Sequence, residues 1–585
     1  MSMANIGYRR NRHTSLAEAV ALVLVMASGI GSHSLYAQSD TIQTTVPALK
    51  DVFVKDFTIG CLLSYRNIGF ATDPYVPGQT AVATPNGGYL IKFHMNCMSP
   101  GNNMKPQYTV DLTGSAAAYT AASTSQAKDS IDTHPIIRFN GDIIAQLNWA
   151  KRQGFTFRGH TLVWHSQTPG TGFFCTGYSA TGARLSKEKM TQRMENYIKE
   201  VIRLIHEGWP GLLSAFDVVN EAINDGSGTD RTTDSDWYVT FGDNSYLMKA
   251  FEFARKYTVQ YNERQIKLYY NDYNTTDAVK ADGIARIVSP IYQAGFLDGI
   301  GMQEHDANGS PTAEQFIATY NKFYPICNEM AVTELDVTTG SATPSAAVLA
   351  TQANQYGLLF KCFVERSYKS GRGKIINVSK DGLNDAYTFK TNQSSSLWDG
   401  QNKCKPAFYA VVSIGANYNS LDSLIAYTKT LQQGKYTPTS WSGFATALAA
   451  AKSAMSQNYS VSVSAADALN KAKSDLTTTI SGLVFVITAD SEIGGSLPGS
   501  FALSQNYPNP FNPTTSIRYQ IGATGSVTLK VVDVLGREVA TLVNGVQSAG
   551  FYTARWDAAT SPSGVYYYRL VAGNVTQTRK MVLAR

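Results

Sequence analysis

The stretch FDVVNEAIND, residues 216–225, begins as a buried strand and then changes character. Phe216, Val218 and Val219 suit a sheet covered on both faces, yet the run ends on Asn220-Glu221, an amide beside a carboxylate. A strand must end somewhere, and polar residues commonly end it, so one such stretch says little. A second, MAVTELDV at 330–337, repeats the design: an apolar run that delivers Glu334. Parallel strands whose carboxyl ends all open on one face would bring both groups to a common rim, and this pattern predicts a parallel α/β barrel.

Outward from these two stretches, apolar strand-like runs alternate with amphipathic helical ones from about 48 to 418. Strands are predicted at TFRGHTLVW (156–164), SAFDVVN (214–220), IKLYYND (266–272), DGIGMQ (298–303) and MAVTELDV. Helices are predicted at 245–257 and at 187–206, the latter with Met190, Met194, Tyr197, Ile198, Val201 and Ile205 on one face. The expected fold class is α/β, a (β/α)8 TIM barrel, followed by a small three-helix module and a C-terminal all-β Ig-like sandwich.

The chain has 585 residues, more than one ordinary domain. With 43% apolar and 16% charged residues it reads as globular. A net charge of +6 is spread thinly, with no Lys/Arg run of the kind that tracks a phosphate backbone, so no nucleic-acid partner is expected. Arg9, Arg10 and Arg12 precede the apolar run AVALVLVMASGI (19–30), which is short for a membrane span and reads as a secretory leader over 1–37. An uncleaved N-terminal anchor is the competing reading. Six scattered cysteines form no CxxC pair, so no metal site is expected, and disulfide pairing is not legible.

Beyond residue 418 the composition shifts. Residues 420–483 are predicted to be helical throughout: LDSLIAYTKTLQQ (421–433), then a helix within 437–455 with Trp441, Phe444, Leu448 and Met455 as its apolar stripe, then 464–483 stopping at Gly482. This segment resembles the three-helix FIVAR module of extracellular bacterial proteins. A Gly/Ser/Pro-containing linker is expected over 484–500. Residues 501–585 alternate apolar and polar in SIRYQI, SVTLKVVDVLG, FYTARWD, GVYYYRLVAG and TRKMVLAR, a sandwich pattern. With its YPNPFNP entry and basic final strand, this tail resembles the C-terminal sorting domain of the type IX secretion system. The resemblance implies export across the outer membrane to a secreted or cell-surface location, with the secretion machinery as a partner.

Two carboxyl groups converging on a cleft are what glycosidic cleavage requires: one protonates the leaving oxygen, the other acts on the anomeric carbon. The segments RGHTLVWHSQTP (158–169), FDVVNEAIND, LYYNDYN (268–274), GIGMQEH (299–305) and VTELDV (332–337) resemble, in order and spacing, glycoside hydrolase family 10, the retaining endo-1,4-β-xylanases. The resemblance implies Glu221 as acid/base and Glu334 as nucleophile. It implies substrate contacts from Asn102, Lys105, His160, Trp164, Gln167, Asn220, Gln303 and His305, with His305 and Asp336 holding the nucleophile ionised. It implies xylan as substrate, with carboxyl groups doing the chemistry and no cofactor; a monomer is expected.

Each supporting residue has a plainer reading: His160 as a hydrogen-bonded core histidine, Trp164 as core, Asn271 and Asp272 as strand closers. Where the family has a Glu, this sequence has Gly101, and where it has a Trp, Pro106. Asp381 and Phe389 stand at the positions of the last barrel loops' tryptophans. These departures put the substrate preference in question. A β-1,4- or mixed-linkage glucanase on the same barrel is the competing enzyme, and a non-catalytic carbohydrate-binding surface protein is the competing class.

Overall fold

The computed structural model describes residues 42–63, 87–368, 372–484 and 501–584. The expected leader and nearly all of the expected linker lie outside them. Two compact units emerge, one built from Gln38–Val486 and one that includes Ile487–Arg585.

The first unit is a closed parallel barrel. Its strands are β1 (Thr58–Leu63), β2 (Cys97–Pro100), β3 (Thr156–Trp164), β4 (Leu213–Asn220), β5 (Lys267–Asp272), β6 (Gly299–Met302), β7 (His305–Ala307), β8 (Glu329–Thr338) and β9 (Lys374–Asp381). They pair in the order β6-β5-β4-β3-β2-β1-β9-β8-β7, and β6 also pairs with β8, which closes the ring. β6 and β7 are two parts of one stave, broken at Gln303-Glu304, so the barrel has eight staves. The predicted run 298–303 thus marks only the first part.

Burial on both faces explains the near-continuous apolar runs: seven of the nine residues of β3 and eight of the ten of β8 are buried. The helix Lys187–Gly208 buries all six residues of the predicted face, and the Ser186 hydroxyl caps it by accepting from Lys189 N at 3.3 Å. The same helix buries Arg193, whose guanidinium ties Asp132 Oδ1 (2.9 Å) to the carbonyls of Phe173 (2.6 Å) and Cys175 (3.1 Å).

The helical stretch beyond the barrel is organised around one continuous helix. Pro406–Thr428 runs straight through the boundary expected near 418–420. Two further helices, Pro438–Ser456 and Ala465–Ser481, begin at the Thr437 and Ser464 caps. Their buried residues Phe444, Ala451, Leu469 and Leu476 belong to the same apolar cluster as Phe408, Val411 and Tyr418 of that helix. The segment 421–433 is therefore the last eight of the 23 residues of a barrel helix plus a turn, because its apolar stripe continues the one that packs on the barrel.

All six cysteines are free thiols, five of them buried. Among the described residues no helix is long and apolar enough to cross a membrane.

The second unit holds two antiparallel sheets, β10-β11-β14 and β13-β12-β15-β16, formed by β10 (Ala502–Leu503), β11 (Thr514–Ile521), β12 (Gly525–Val532), β13 (Glu538–Gln547), β14 (Gly550–Asp557), β15 (Gly564–Ala572) and β16 (Val575–Leu583). Their alternate residues, among them Ile517, Leu529, Trp556, Tyr568 and Leu570, form one core. The predicted strands coincide with β11, β12, β14, β15 and β16, three of them running past the observed ends at Val532, Ala572 and Leu583, and β13 is not among them.

Candidate active site

Strand register assembles the rim. Trp164 on β3 lies beside Asn220 on β4, and Asn220 beside Asn271 on β5. Gly301 of β6 lies beside Asn271, and His305 of β7 beside Asp336 of β8. Gly301 leaves the space that Asn271 occupies: a Cβ there would stand 2.3 Å from Asn271 Oδ1 and 3.0 Å from Thr333 Cγ2.

Glu221 and Glu334 line one cleft of about 840 Å³, together with Asn102, Lys105, Trp164, Gln303, His305 and Asp381. A chain of amides joins the two carboxylates. Asn271 Nδ2 donates to Glu334 Oε1 (3.1 Å) and to Asn220 Oδ1 (2.9 Å), and Asn220 Nδ2 donates to Glu221 Oε1 (3.0 Å). Thr333 Oγ1 orients the Asn271 amide by donating to its Oδ1 at 2.7 Å.

Glu221 is placed by its backbone as much as by its side chain. Its φ is +54°, left-handed, which costs a non-glycine residue about 1–2 kcal/mol. Three bonds hold that turn: Glu221 N to Asn271 O (2.9 Å), Arg231 Nε to Glu221 O (2.8 Å) and Ala222 N to Tyr270 Oη (3.0 Å). The carboxylate so aimed accepts from Trp164 Nε1 (2.9 Å) and Gln303 Nε2 (2.8 Å). Gln167, Asn274 and Glu304 near the cleft also hold positive φ.

Glu334 is the opposite case, fixed in mid-strand and buried. Burial alone would raise its carboxyl, but the bond from His305, the His160, His305 and Lys105 charges and their closeness overcome it, and the pKa falls to about 2. His305 can supply that cation because Asp336 Oδ2 holds its Nδ1 at 2.8 Å while Nε2 faces Glu334 Oε2 at 3.5 Å. Against the cost of burial, these two carboxylates lift the imidazole to about 10.

Lys105 Nζ donates to Gln167 Oε1 (2.7 Å) and Asn102 Oδ1 (2.9 Å) and lies 4.6 Å from the Trp164 ring centroid. Its pKa is lowered by burial, against the pull of Glu334, Glu221 and Asp381. His160 does not line the cleft. It is buried, with Nδ1 3.0 Å from Asp217 Oδ2, and Asp217 is paired in turn with Arg158 at 2.7 Å. Asn220 and Asp336 are likewise buried and bond to the lining residues Glu221 and His305, while half-buried Gln167 bonds to Lys105.

A family model, glycosyl hydrolase family 10, matches residues 49–414. The chain belongs to that family. Among curated relatives of this family 10 chain, endo-1,4-beta-xylanase Y of Acetivibrio thermocellus is 33% identical over 394 residues, covering 65% of this chain and 33% of the relative. A putative endo-1,4-beta-xylanase of Caldicellulosiruptor saccharolyticus is 31% identical over 327 residues, 54% of this chain and 98% of the relative. The chain thus spans about a third of the length of the first relative and nearly all of the second. Among solved structures, the CBM22-1–GH10 modules of Clostridium thermocellum endo-1,4-beta-D-xylanase 10B, complexed with xylohexaose, are 31% identical with a TM-score of 0.54, over 66% of this chain and 69% of that one. A second model, secretion system C-terminal sorting domain, matches residues 505–584.

Two supporting residues of this family 10 protein to which its sequence assigned no specific role, Asn271 and Asp272, are part of the site's polar network. Asn271, which could pass for a strand closer, is the link between the two carboxylates; its only sequence signal is its place in LYYNDYN. Asp272 beside it is buried in contact with Lys280 (3.0 Å) and Tyr270 Oη (2.5 Å), and burial, outweighing Lys280 and Tyr270, raises it to about 7. At the positions of the departures, Asp381 and Phe389 both line the cleft. Phe389 is 58% exposed and meets His305 edge-on, with ring centroids 5.0 Å apart.

Proposed function

We propose that this chain is an exported endo-1,4-β-xylanase that cuts internal β-1,4-xylosidic bonds with retention, by double displacement. The observation that carries the reading is the pairing of Glu334, held anionic by His305 and Asp336, with Glu221 across one cleft, the two joined through Asn220 and Asn271. Glu221 donates its proton to the glycosidic oxygen while a Glu334 oxygen bonds to the anomeric carbon, and the C–O bond to the leaving sugar breaks. Glu221, now a carboxylate, takes a proton from water, whose oxygen attacks the same carbon and releases Glu334. Two inversions restore the configuration.

A cleft of 840 Å³ lies near the top of the range of about 300–1,000 Å³ for ligand sites, which suits an oligomer rather than one small molecule. Asn102, Lys105, Trp164 and Gln303 offer donors and an aromatic face to the sugars. Gln167 holds Lys105 and Asn102, Asn220 accepts from Gln303, and the His160 ring lies beside that of Trp164, with centroids 6.4 Å apart. The xylanase relatives and the xylohexaose-bound neighbour support the substrate class. The sorting-domain match and the leader-like 1–37 support export through a type IX system to the cell surface or medium, with that machinery as partner. The helices after the barrel serve as a FIVAR-like module fused to its last helix, and the enzyme works as a monomer.

The test is release of reducing ends from soluble xylan by the full chain and by Glu334→Ala, with the anomeric form of the first product followed by proton NMR. The β-anomer appearing first, from wild type only, is expected. Equal background release from both proteins would leave a binder, and an α-anomer appearing first would exclude double displacement.

A further inference from the structure

Asp381 is the third carboxyl group of the cleft, after Glu221 and Glu334, and the chemistry above does not use it. It ends β9, whose Lys380 lies beside Leu335 of β8 and whose Asp381 lies beside Leu62 of β1, so it reaches the rim next to the nucleophile's strand. Only 6% of it is exposed. One oxygen, Oδ2, accepts from Thr388 Oγ1 at 2.9 Å. The other has no hydrogen-bond partner among the described residues and is not sealed in the interior, so it faces the cleft.

A nearly buried carboxyl group needs partners for its lone pairs or a cation for its charge. Asp381 has neither in full. The ammonium of the neighbouring Lys380 is spent on the carbonyls of Asp381 and Gly382, each at 2.8 Å. His305 is held by Asp336 and faces Glu334, and Lys105 is held by Asn102 and Gln167. The missing partner must come from whatever fills the cleft.

Resting on the reading of the cleft as a glycosidase site, we propose that Asp381 is a specificity-determining residue that hydrogen-bonds a hydroxyl of the sugar unit docked against Glu334. Protonated, it donates to the hydroxyl oxygen; ionised, it accepts the hydroxyl hydrogen. Both forms bind, with different strength. The two forms interchange within the working range: burial first, then repulsion from Asp336 and Glu334, outweigh His305 and Lys380 and bring the carboxyl up to about 6. The other titratable groups that interact with it are Lys105 after β2 and Cys61 on β1. A bulky apolar residue here would cover the sugar without reading its hydroxyl, whereas a short carboxyl group reads the hydroxyl and leaves the remaining volume open.

The test uses Asp381→Asn, whose amide oxygen can still accept from Thr388, and Asp381→Ala, in the full chain. Affinity for xylohexaose is measured by calorimetry in a Glu334→Gln background, and kcat and KM are measured across pH 4.5–8 in the active one. In the Glu334→Gln background, Asp381→Ala should weaken binding at least tenfold while the thermal midpoint moves little. In the active background, Asp381→Asn should flatten the part of the kcat/KM profile centred near pH 6. Unchanged affinity and an unchanged pH profile in both variants would overturn the proposal. So would losses that track a fall in thermal midpoint, since the carboxyl would then only brace the Thr388 loop. Failure of the broader reading is separate: a wild-type chain that releases nothing from xylan refutes that reading, and the binding comparison still reports on Asp381.

Discussion

Removing the His305 imidazole tests the electrostatics of the cleft most directly. In the native protein the Glu334 carboxyl sits at about 2 rather than its ordinary 4.5. At about 1.36 kcal/mol per pK that difference is about 3 kcal/mol in favour of the anion. His305→Ala removes both the hydrogen bond and the nearest cation and leaves burial opposed only by Lys105, His160 and the Asn271 amide. The carboxyl should rise by about two pH units or more, so the acidic limb of kcat/KM should move from below pH 3 into the accessible range above about pH 4. At pH 5 the loss of ionised nucleophile and of its alignment should cost roughly 10–100-fold in kcat/KM. Initial rates on xylohexaose from pH 4 to 8 would measure this.

Stability provides an independent sign check. A depressed carboxyl contributes stability that is present above its unfolded pKa and lost as pH falls through about 2. A raised imidazole contributes stability that is complete below its unfolded pKa and lost as pH rises through about 10. Wild type should therefore hold both contributions between about pH 5 and 6. In His305→Ala a Glu334 carboxyl returned close to its ordinary 4.5 contributes little, so the variant should lose less stability than wild type as pH falls from 5 to 3. A variant whose acidic limb stays with that of wild type, or whose loss is the same at every pH, refutes the account.

Three other perturbations probe different parts of the structure. Gly301→Ala should push the Asn271 amide off Glu334 and Asn220, lowering kcat about tenfold or more with a smaller effect on KM; unchanged kinetics would show that the amide chain is dispensable. Leu469→Ala, in the helix after the barrel, opens a cavity in the shared apolar cluster and should cost about 2–4 kcal/mol. Calorimetry of 42–484 should show that loss in a single transition, whereas a separate low-temperature transition would mean that the helices fold as a module of their own. Asp132→Ala strands the buried Arg193 guanidinium and should cost about 3–5 kcal/mol in urea denaturation; a loss below about 1 kcal/mol would show that carbonyls alone satisfy it.

Much of this was written in local pattern. The face of the helix Lys187–Gly208, the caps at Thr437 and Ser464 and the alternation in the tail strands depend on neighbours three or four residues away, or two, so the sequence displays them. The break between β6 and β7 is not visible that way, because Gln303-Glu304 leaves the ladder only where β8 supplies a partner to both sides. The helix Pro406–Thr428 hides the composition change near 418 for a similar reason. One element can carry two sets of neighbours, and nothing in a linear window says so.

The candidate site divides along the same line. Sequence alone determined that two glutamates belong to apolar strands of a parallel barrel, because strand period is a property of consecutive residues; Glu221 follows the end of β4 as expected, whereas β8 runs on past Glu334 to Thr338. The family resemblance already pointed to His305 beside the nucleophile, whereas the link through Asn271 between those glutamates, and that Asp381 turns an unpartnered oxygen to the same cleft, were decided only by the closing of the barrel. Register across staves brings together residues from 164 to 381, and burial there sets the energy of every charge.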